Sequence, residues 1–269
     1  MTNRLDDNLV WWGNFSLAQG ESGLWRIGPA SFRIERLKCE WRILYDCSGD
    51  PQDNNAEVLV PLAQVTQPGP ASSLTRFGAG GTVESLQISP ALADRPVVIR
   101  PEVPFFVLPN EEVNFYAGTP LWFRVEVGKR RTLLQDAPII RPSDTWFGPS
   151  TMEGELCYAN RLFGKLEISE LSFRPHRATT VILLRNKGRK SIRLERFNLP
   201  VPNLSLYQSA ESRLWTQQVT LDLGDDEHTA SLGFKPVAPA AAGKAKIVCE
   251  PRLKPDQNIL TRAMNYLIS

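Results

Sequence analysis

Between Ser143 and Arg161 the chain reads SDTWFGPSTMEGELCYANR, its densest concentration of groups able to do chemistry. Asp144, Glu153 and Glu155 supply carboxylates, Cys157 a thiol, and Tyr158 and Arg161 polar partners to the rings of Trp146 and Phe147. Glycoside cleavage uses two carboxyl groups about 5–9.5 Å apart. Glu153 and Glu155, two apart on a strand, would stand ~6.5–7 Å apart at the backbone. A carbohydrate-active or other hydrolase using the carboxylates near Asp144–Glu155 is therefore one reading. Any Glu-x-Glu strand meets that distance, however, and acidic side chains are mostly exposed, so a solvated face is the plainer one.

Cys157 could act as a nucleophile only beside a base or a positive field, because the thiolate is the reactive form. The chain has two histidines, His176 and His228, and nothing in their spacing ties either to Cys157. A buried structural thiol is the plainer reading. Trp146, Tyr158 and Arg161 could form a stacking platform for a sugar, a base or a peptide side chain. The candidate binding surface is thus Trp146, Glu155, Tyr158 and Arg161, with no catalytic residue assigned.

Basic residues cluster at Arg185, Lys187, Arg189, Lys190 and Arg193, and at Lys129-Arg130-Arg131. A ligand- or nucleic-acid-binding module would use these with Trp146 and Tyr158. The net charge of +2 over 269 residues gives no such footprint, so solvated hairpin tips are expected. Cys39, Cys47, Cys157 and Cys249 lack CxxC spacing, so no metal site is expected and the thiols are expected to be buried and unpaired. No Walker loop, dinucleotide fingerprint, Gly-x-Ser-x-Gly elbow or His-Glu-x-x-His occurs, and no cofactor is implied.

The elements that must position these groups are strands. Leu121, Phe123, Val125 and Val127 alternate with polar or larger residues, as do Val219, Leu221 and Leu223. Leu37, Cys39, Trp41, Ile43 and Tyr45 share one parity. Period 2 marks half-buried strands. Thr179–Leu184 is apolar on both parities, as a strand covered on both faces would be. Arg185–Arg189 is expected to be a hairpin tip, 46–56 a polar loop, 67–81 a long connection and 237–244 a linker or loop. Ile259, Leu260, Ala263, Met264 and Leu267 recur at helical spacing after Asp256, a capping residue.

Ser31–Leu37 (SFRIERL) and Ser191–Phe197 (SIRLERF) match at Ser, Arg, Glu and Arg, which raises an internal duplication. The expected fold is all-β, one large or two tandem antiparallel β-sandwich units with a C-terminal α-helix. The division reads as an N-terminal β domain over 1–140, a C-terminal β domain over 141–255, a divergent repeat of the first on the duplication reading, and an amphipathic helix over 256–269.

Three phrases, Pro120–Val127 (PLWFRVEV), Asp144–Gly148 (DTWFG) and Gly154–Tyr158 (GELCY), resemble a prokaryotic domain-of-unknown-function family, number 432, over about Gly13–Val219. The resemblance implies no activity, cofactor or catalytic residue.

The N-terminus shows no secretory signal, and no apolar run approaches the ~18 residues of a membrane helix; a cytoplasmic protein is expected. The function expected is a non-catalytic β-sandwich interaction or scaffold module. Its partner would be another protein or a second copy, met through the C-terminal helix or a sheet edge, without membrane insertion and not a nucleic acid.

Overall fold

A computed structural model of the chain describes residues 10–62, 72–80, 84–148, 150, 152–224 and 230–254. The chain is mostly β, and no helix among the described residues reaches seven residues. The first seven strands are β1 (Gly13–Ser16), β2 (Ser22–Ile27), β3 (Ala30–Arg36), β4 (Glu40–Asp46), β5 (Ala56–Leu62), β6 (Ser73–Gly78) and β7 (Ser85–Leu92). There follow β8 (Val97–Ile99), β9 (Phe105–Val107), β10 (Glu112–Val127), β11 (Thr132–Pro138), β12 (Asp144–Phe147), β13 (Glu155–Ala159) and β14 (Arg177–Asn186). The last are β15 (Ile192–Leu194), β16 (Phe197–Leu199), β17 (Leu206–Ser209), β18 (Leu214–Thr216), β19 (Val219–Leu223), β20 (Ala230–Phe234) and β21 (Ala245–Cys249).

Contacts group the described residues into two compact units, each drawn from separated stretches of chain. One takes them from Met1–Ala91, Leu121–Arg141 and Arg174–His176; the other from Leu92–Pro120, Pro142–Phe173 and Arg177–Ser269. Strand β10 contributes its first half to the second unit and its second half to the first.

The first unit holds an antiparallel sheet in the order β5-β2-β3-β4-β6. Trp25 and Ile27 are buried while Arg26 between them is exposed, the alternation the pleat demands. The same unit contains the antiparallel pairs β1–β7 and β10–β11. Phe123 of β10 stacks on Phe32 of β3 at 4.0 Å and on Trp11 at 5.6 Å, with Trp25 edge-on at 6.0 Å. These fully buried rings are the unit's core; burying one stabilises by roughly 1.5–3 kcal/mol.

The second unit is organised around β14. It pairs antiparallel with Glu112–Pro120 of β10 and parallel with β18 and β19. Val181, Ile182 and Leu184 are buried, on both parities as expected of Thr179–Leu184, and Leu183 is half-buried. Three buried hydroxyls join its neighbours: Thr180 Oγ1 lies 2.6 Å from Thr119 Oγ1 and accepts from Thr216 Oγ1 at 2.9 Å. A smaller sheet in the same unit runs β12-β13-β8-β16.

Several sequence expectations need correcting. Two of the sheets are mixed rather than antiparallel, because β13–β8, β14–β18 and β14–β19 are parallel. Leu37 and Cys39 do not continue the face of Trp41 and Ile43. They lie in the β3–β4 turn, closed by the Leu37 N–H to Glu40 C=O bond, 2.9 Å. The expected connection over 67–81 contains β6. Arg185–Arg189 is not a hairpin tip: Arg185 and Asn186 end β14, which pairs with β10, β18 and β19, and the turn after them leads to β15, which pairs with β9. Asn186 holds that turn, its Nδ2 donating to Val107 O at 2.9 Å and Lys190 O at 2.8 Å.

None of the four cysteines is in a disulfide, but only Cys157 is buried and Cys39 is exposed. The helix expected over 256–269 lies outside the described residues, as does His228. No helix of the described residues is long and apolar enough to cross a membrane.

Candidate functional site

Strands β12 and β13 form a hairpin at the edge of the four-stranded sheet. Its connection is tight. A Cβ on Gly148 would sit 2.1 Å from Glu153 O, and Gly154 has φ +153°, where a Cβ would meet Phe147 O at 2.6 Å. Both positions require glycine. Trp146 Nε1 donates to Ser150 O at 2.7 Å, and Ser150 Oγ accepts from the N–H groups of Met152 and Glu153 at 3.2 and 3.1 Å. The indole is therefore fixed across the loop it helps to close.

Register sorts the candidate residues. Asp144 lies opposite Tyr158, and Trp146 opposite Leu156, so these four share one face. Trp146 is 42% and Leu156 44% exposed, two apolar side chains paired on an open surface. Beside them Arg95 reaches Asp144 Oδ1 at 3.3 Å and lies over the Tyr158 ring at 5.3 Å. Tyr158 Oη donates to Asp94 Oδ1 at 3.0 Å. Burial, and after it the bond to Asp94, pushes the Tyr158 phenol above its ordinary value. Arg161, just past β13, donates from Nη2 to Ser143 Oγ at 3.3 Å.

Glu155 belongs to the opposite face. There Cys157 packs with Val98 and Phe147, and its Sγ donates to Asn198 Oδ1 at 3.6 Å. Asn198 Nδ2 in turn donates to Glu155 Oε1. Burial first, and the Glu155 charge second, push the Cys157 thiol up to about 12. At neutral pH it is protonated and a poor nucleophile. His176 belongs to the other unit, buried with Nδ1 only 2.5 Å from where a Gly28 Cβ would stand.

Of the four candidates, Trp146 and Tyr158 share one face, Glu155 belongs to the other, and Arg161 lies past β13 on Ser143. The three carboxylates share no cleft: Asp144 is tied to Arg95 on the outer face, Glu153 is exposed in the loop, and Glu155 is engaged by Asn198. The basic residues carry partners too, with Arg185 on Glu112, Lys187 on Asp222 and Arg193 on Glu195. Among the described residues no cluster of three His, Cys, Asp or Glu side chains is placed to hold a metal ion.

Sequence reasoning missed Asp94 and Arg95, which lie some fifty positions from the hairpin. It also missed Arg177, a buried cation whose Nη1 donates to Gly118 O and to Asn160 Oδ1, both at 2.8 Å, fixing the chain after β13. Neither set had a local signal, because pairing across sheets brings them in.

Residues 11–268 match a family described as "Protein of unknown function (DUF432)". This chain belongs to that family. The match confirms the resemblance carried by the Pro120–Val127, Asp144–Gly148 and Gly154–Tyr158 phrases and extends it over nearly the whole chain. No curated protein and no solved structure matches the chain.

Proposed function

We propose that this DUF432 protein is a non-catalytic interaction module that meets a protein partner on the outer face of β12–β13. The observation that carries the proposal is the exposed Trp146–Leu156 pair, its indole bonded to Ser150 O, with the Arg95–Asp144 ion pair beside it. An apolar centre with a charged rim is the anatomy of a protein-binding patch, and tryptophan is the residue most enriched at binding hot spots. The protonated Cys157 and the scattered carboxylates support a binding role over a hydrolytic one.

The proposal includes a cytoplasmic location, β-sandwich units and a C-terminal helix. It also admits a second copy as the partner, through a sheet edge or that helix.

A photo-crosslinking amino acid at position 156 tests the surface in cells. One defined protein, or the chain itself, should be captured there, lost with Trp146→Asp, and not captured from position 74 on β6. Sedimentation velocity of the purified protein separates self-association from a foreign partner. Capture that ignores Trp146→Asp would defeat the proposal. So would turnover of an ester, glycoside or phosphate substrate abolished by Glu155→Gln.

A further inference from the structure

The second unit contains a cavity of about 670 Å³ between one face of its large sheet and the segment that follows β20. Its size falls within the ~300–1,000 Å³ of small-molecule sites. Register builds its floor. Leu183, Thr220 and Gly233 lie side by side on β14, β19 and β20, and Arg185, Asp222 and Ser231 form the next row. Gly233 leaves the β20 end of that row without a side chain. A glycine inside a strand marks a place where something approaches the backbone closely.

The roof is the segment 235–242, which ends in a single 3-10 turn, Ala240–Ala242. Ala242 and Ala238 pack on Val181, Tyr207 and Trp215. That contact pins the roof over Val181 of β14, while the cavity opens at Leu183 and Arg185, two and four positions further on the same strand face. Val237 and Pro239 line it from the roof, and Val237 is 57% exposed. The cavity is thus held open by a packed anchor, its apolar lining including Leu183, Leu232, Phe234, Val237 and Pro239, with Thr220, Ser231 and Gln218 as neutral hydrogen-bonding groups.

Its charges decide what it suits. Arg185 is committed to Glu112 at 3.0 Å, and Asp222 to Lys187 at 2.7 Å. Lys235, at the mouth and exposed, has no ion pair among the described residues. One uncommitted cation beside an apolar chamber complements one negative charge on an apolar body.

We propose that this cavity binds a small amphipathic monocarboxylate, its aliphatic or aromatic body on Leu183, Gly233 and Pro239 and its carboxylate toward Lys235. The site is separate from the β12–β13 face and stands or falls independently of it.

Calorimetric titration of the full chain with octanoate tests the assignment, with 1-octanol and octylamine as isosteres. Octanoate should bind with a Kd on the order of 100 µM, more tightly than octanol, and octylamine should not bind. Lys235→Gln should weaken octanoate by about threefold to fivefold, the scale of a solvated ion pair, and leave octanol unchanged. Gly233→Leu should fill the floor and abolish binding at unchanged secondary structure. Should that variant not fold, Val237→Asp at the exposed rim replaces it, and should repel octanoate while sparing octanol. No octanoate binding, octylamine or octanol binding as tightly as octanoate, or octanoate affinity undiminished in a folded Gly233→Leu or Val237→Asp variant would overturn the proposal.

Discussion

Ser31–Leu37 and Ser191–Phe197 place Ser, Arg, Glu and Arg alike, with large apolar residues between them, yet they occupy different worlds. The first supplies β3, the continuous middle strand of a five-stranded sheet. The second breaks into β15, paired with β9, and β16, paired with β8. In the first, Arg33 and Glu35 are 8% and 3% exposed and lie 3.3 Å apart. Ser22 and Leu24 of β2 and Arg42 and Leu44 of β4 flank them on that face. In the second, the equivalent Arg193–Glu195 pair has side chains 46% and 26% exposed. The Leu-Trp pairs at 121–122 and 214–215 also open unlike segments: Leu121–Val127 is one run of β10, whereas Leu214–Leu223 is interrupted between β18 and β19. A seven-residue amphipathic pattern specifies a strand, and the neighbours it finds specify whether its polar face is covered.

Breaking the ion pairs should separate the two segments most widely. Glu35→Ala removes the carboxylate 3.3 Å from the buried Arg33 and should cost about 3–5 kcal/mol. Glu195→Ala should cost less than about 1 kcal/mol. Urea unfolding of both variants measures the difference, and equal losses would erase the contrast.

The paired arginines give a smaller gap. Arg36 is buried, lies 5.2 Å over Trp41 and donates to the Leu37 carbonyl, whereas half-buried Arg196 lies 5.5 Å over Phe147. Arg36→Ala should destabilise by about 2 kcal/mol and Arg196→Ala by about 0.5–1 kcal/mol.

Burial also separates the thiols. Cys39 should react readily with an aromatic disulfide reagent at pH 8, and Cys157 only on unfolding. Burial raises the folded Cys157 value to about 12, above the unfolded thiol's ~8.5. The folded state therefore holds the proton more tightly, and stability should decline as pH rises between those values. Cys157→Ala should flatten the alkaline decline in melting temperature.

The smallest effect is expected at acid pH beside β3. The Arg76 side chain, and after it Arg42, hold the Glu40 carboxyl below its ordinary value. A depressed carboxyl contributes stability above its unfolded value that is lost as pH falls through the folded one. Glu40→Gln should shave the acid-side slope slightly, because the group is solvent-screened; an unchanged acid profile would remove Glu40 from the account.

Strand positions were legible wherever alternation was strict. Val219, Leu221 and Leu223 are buried with Thr220 and Asp222 between them half-exposed, as their spacing requires. The loop at 46–56 was legible too, and the reason is chemical. Asp46, Asp50 and Asp53 each accept the N–H two residues on, at 2.8–2.9 Å, the local bond that makes aspartate a turn residue. Misreadings fell where chain direction changes: at Leu37–Cys39, where a turn interrupts the parity, and at Arg185–Arg189, where the chain leaves one sheet for another. The candidate surface was half legible. Strand parity put Tyr158 on the face opposite Glu155 and Cys157, but Arg95 and Asp94 carried no local mark.

By itself, the sequence determined the β character, the turn chemistry and the family, because backbone pleating, glycine at strained positions and contiguous phrases are local properties. The tertiary structure alone decided which strands are neighbours and therefore which charges are buried. It split the Ser143–Arg161 groups between two faces and delivered Arg95 to Tyr158. It also set Gly233 beside Thr220 and Leu183 in the floor of a cavity. Those outcomes depend on hydrogen-bond pairing between residues tens of positions apart, and a strand's own sequence carries its period but not its partner.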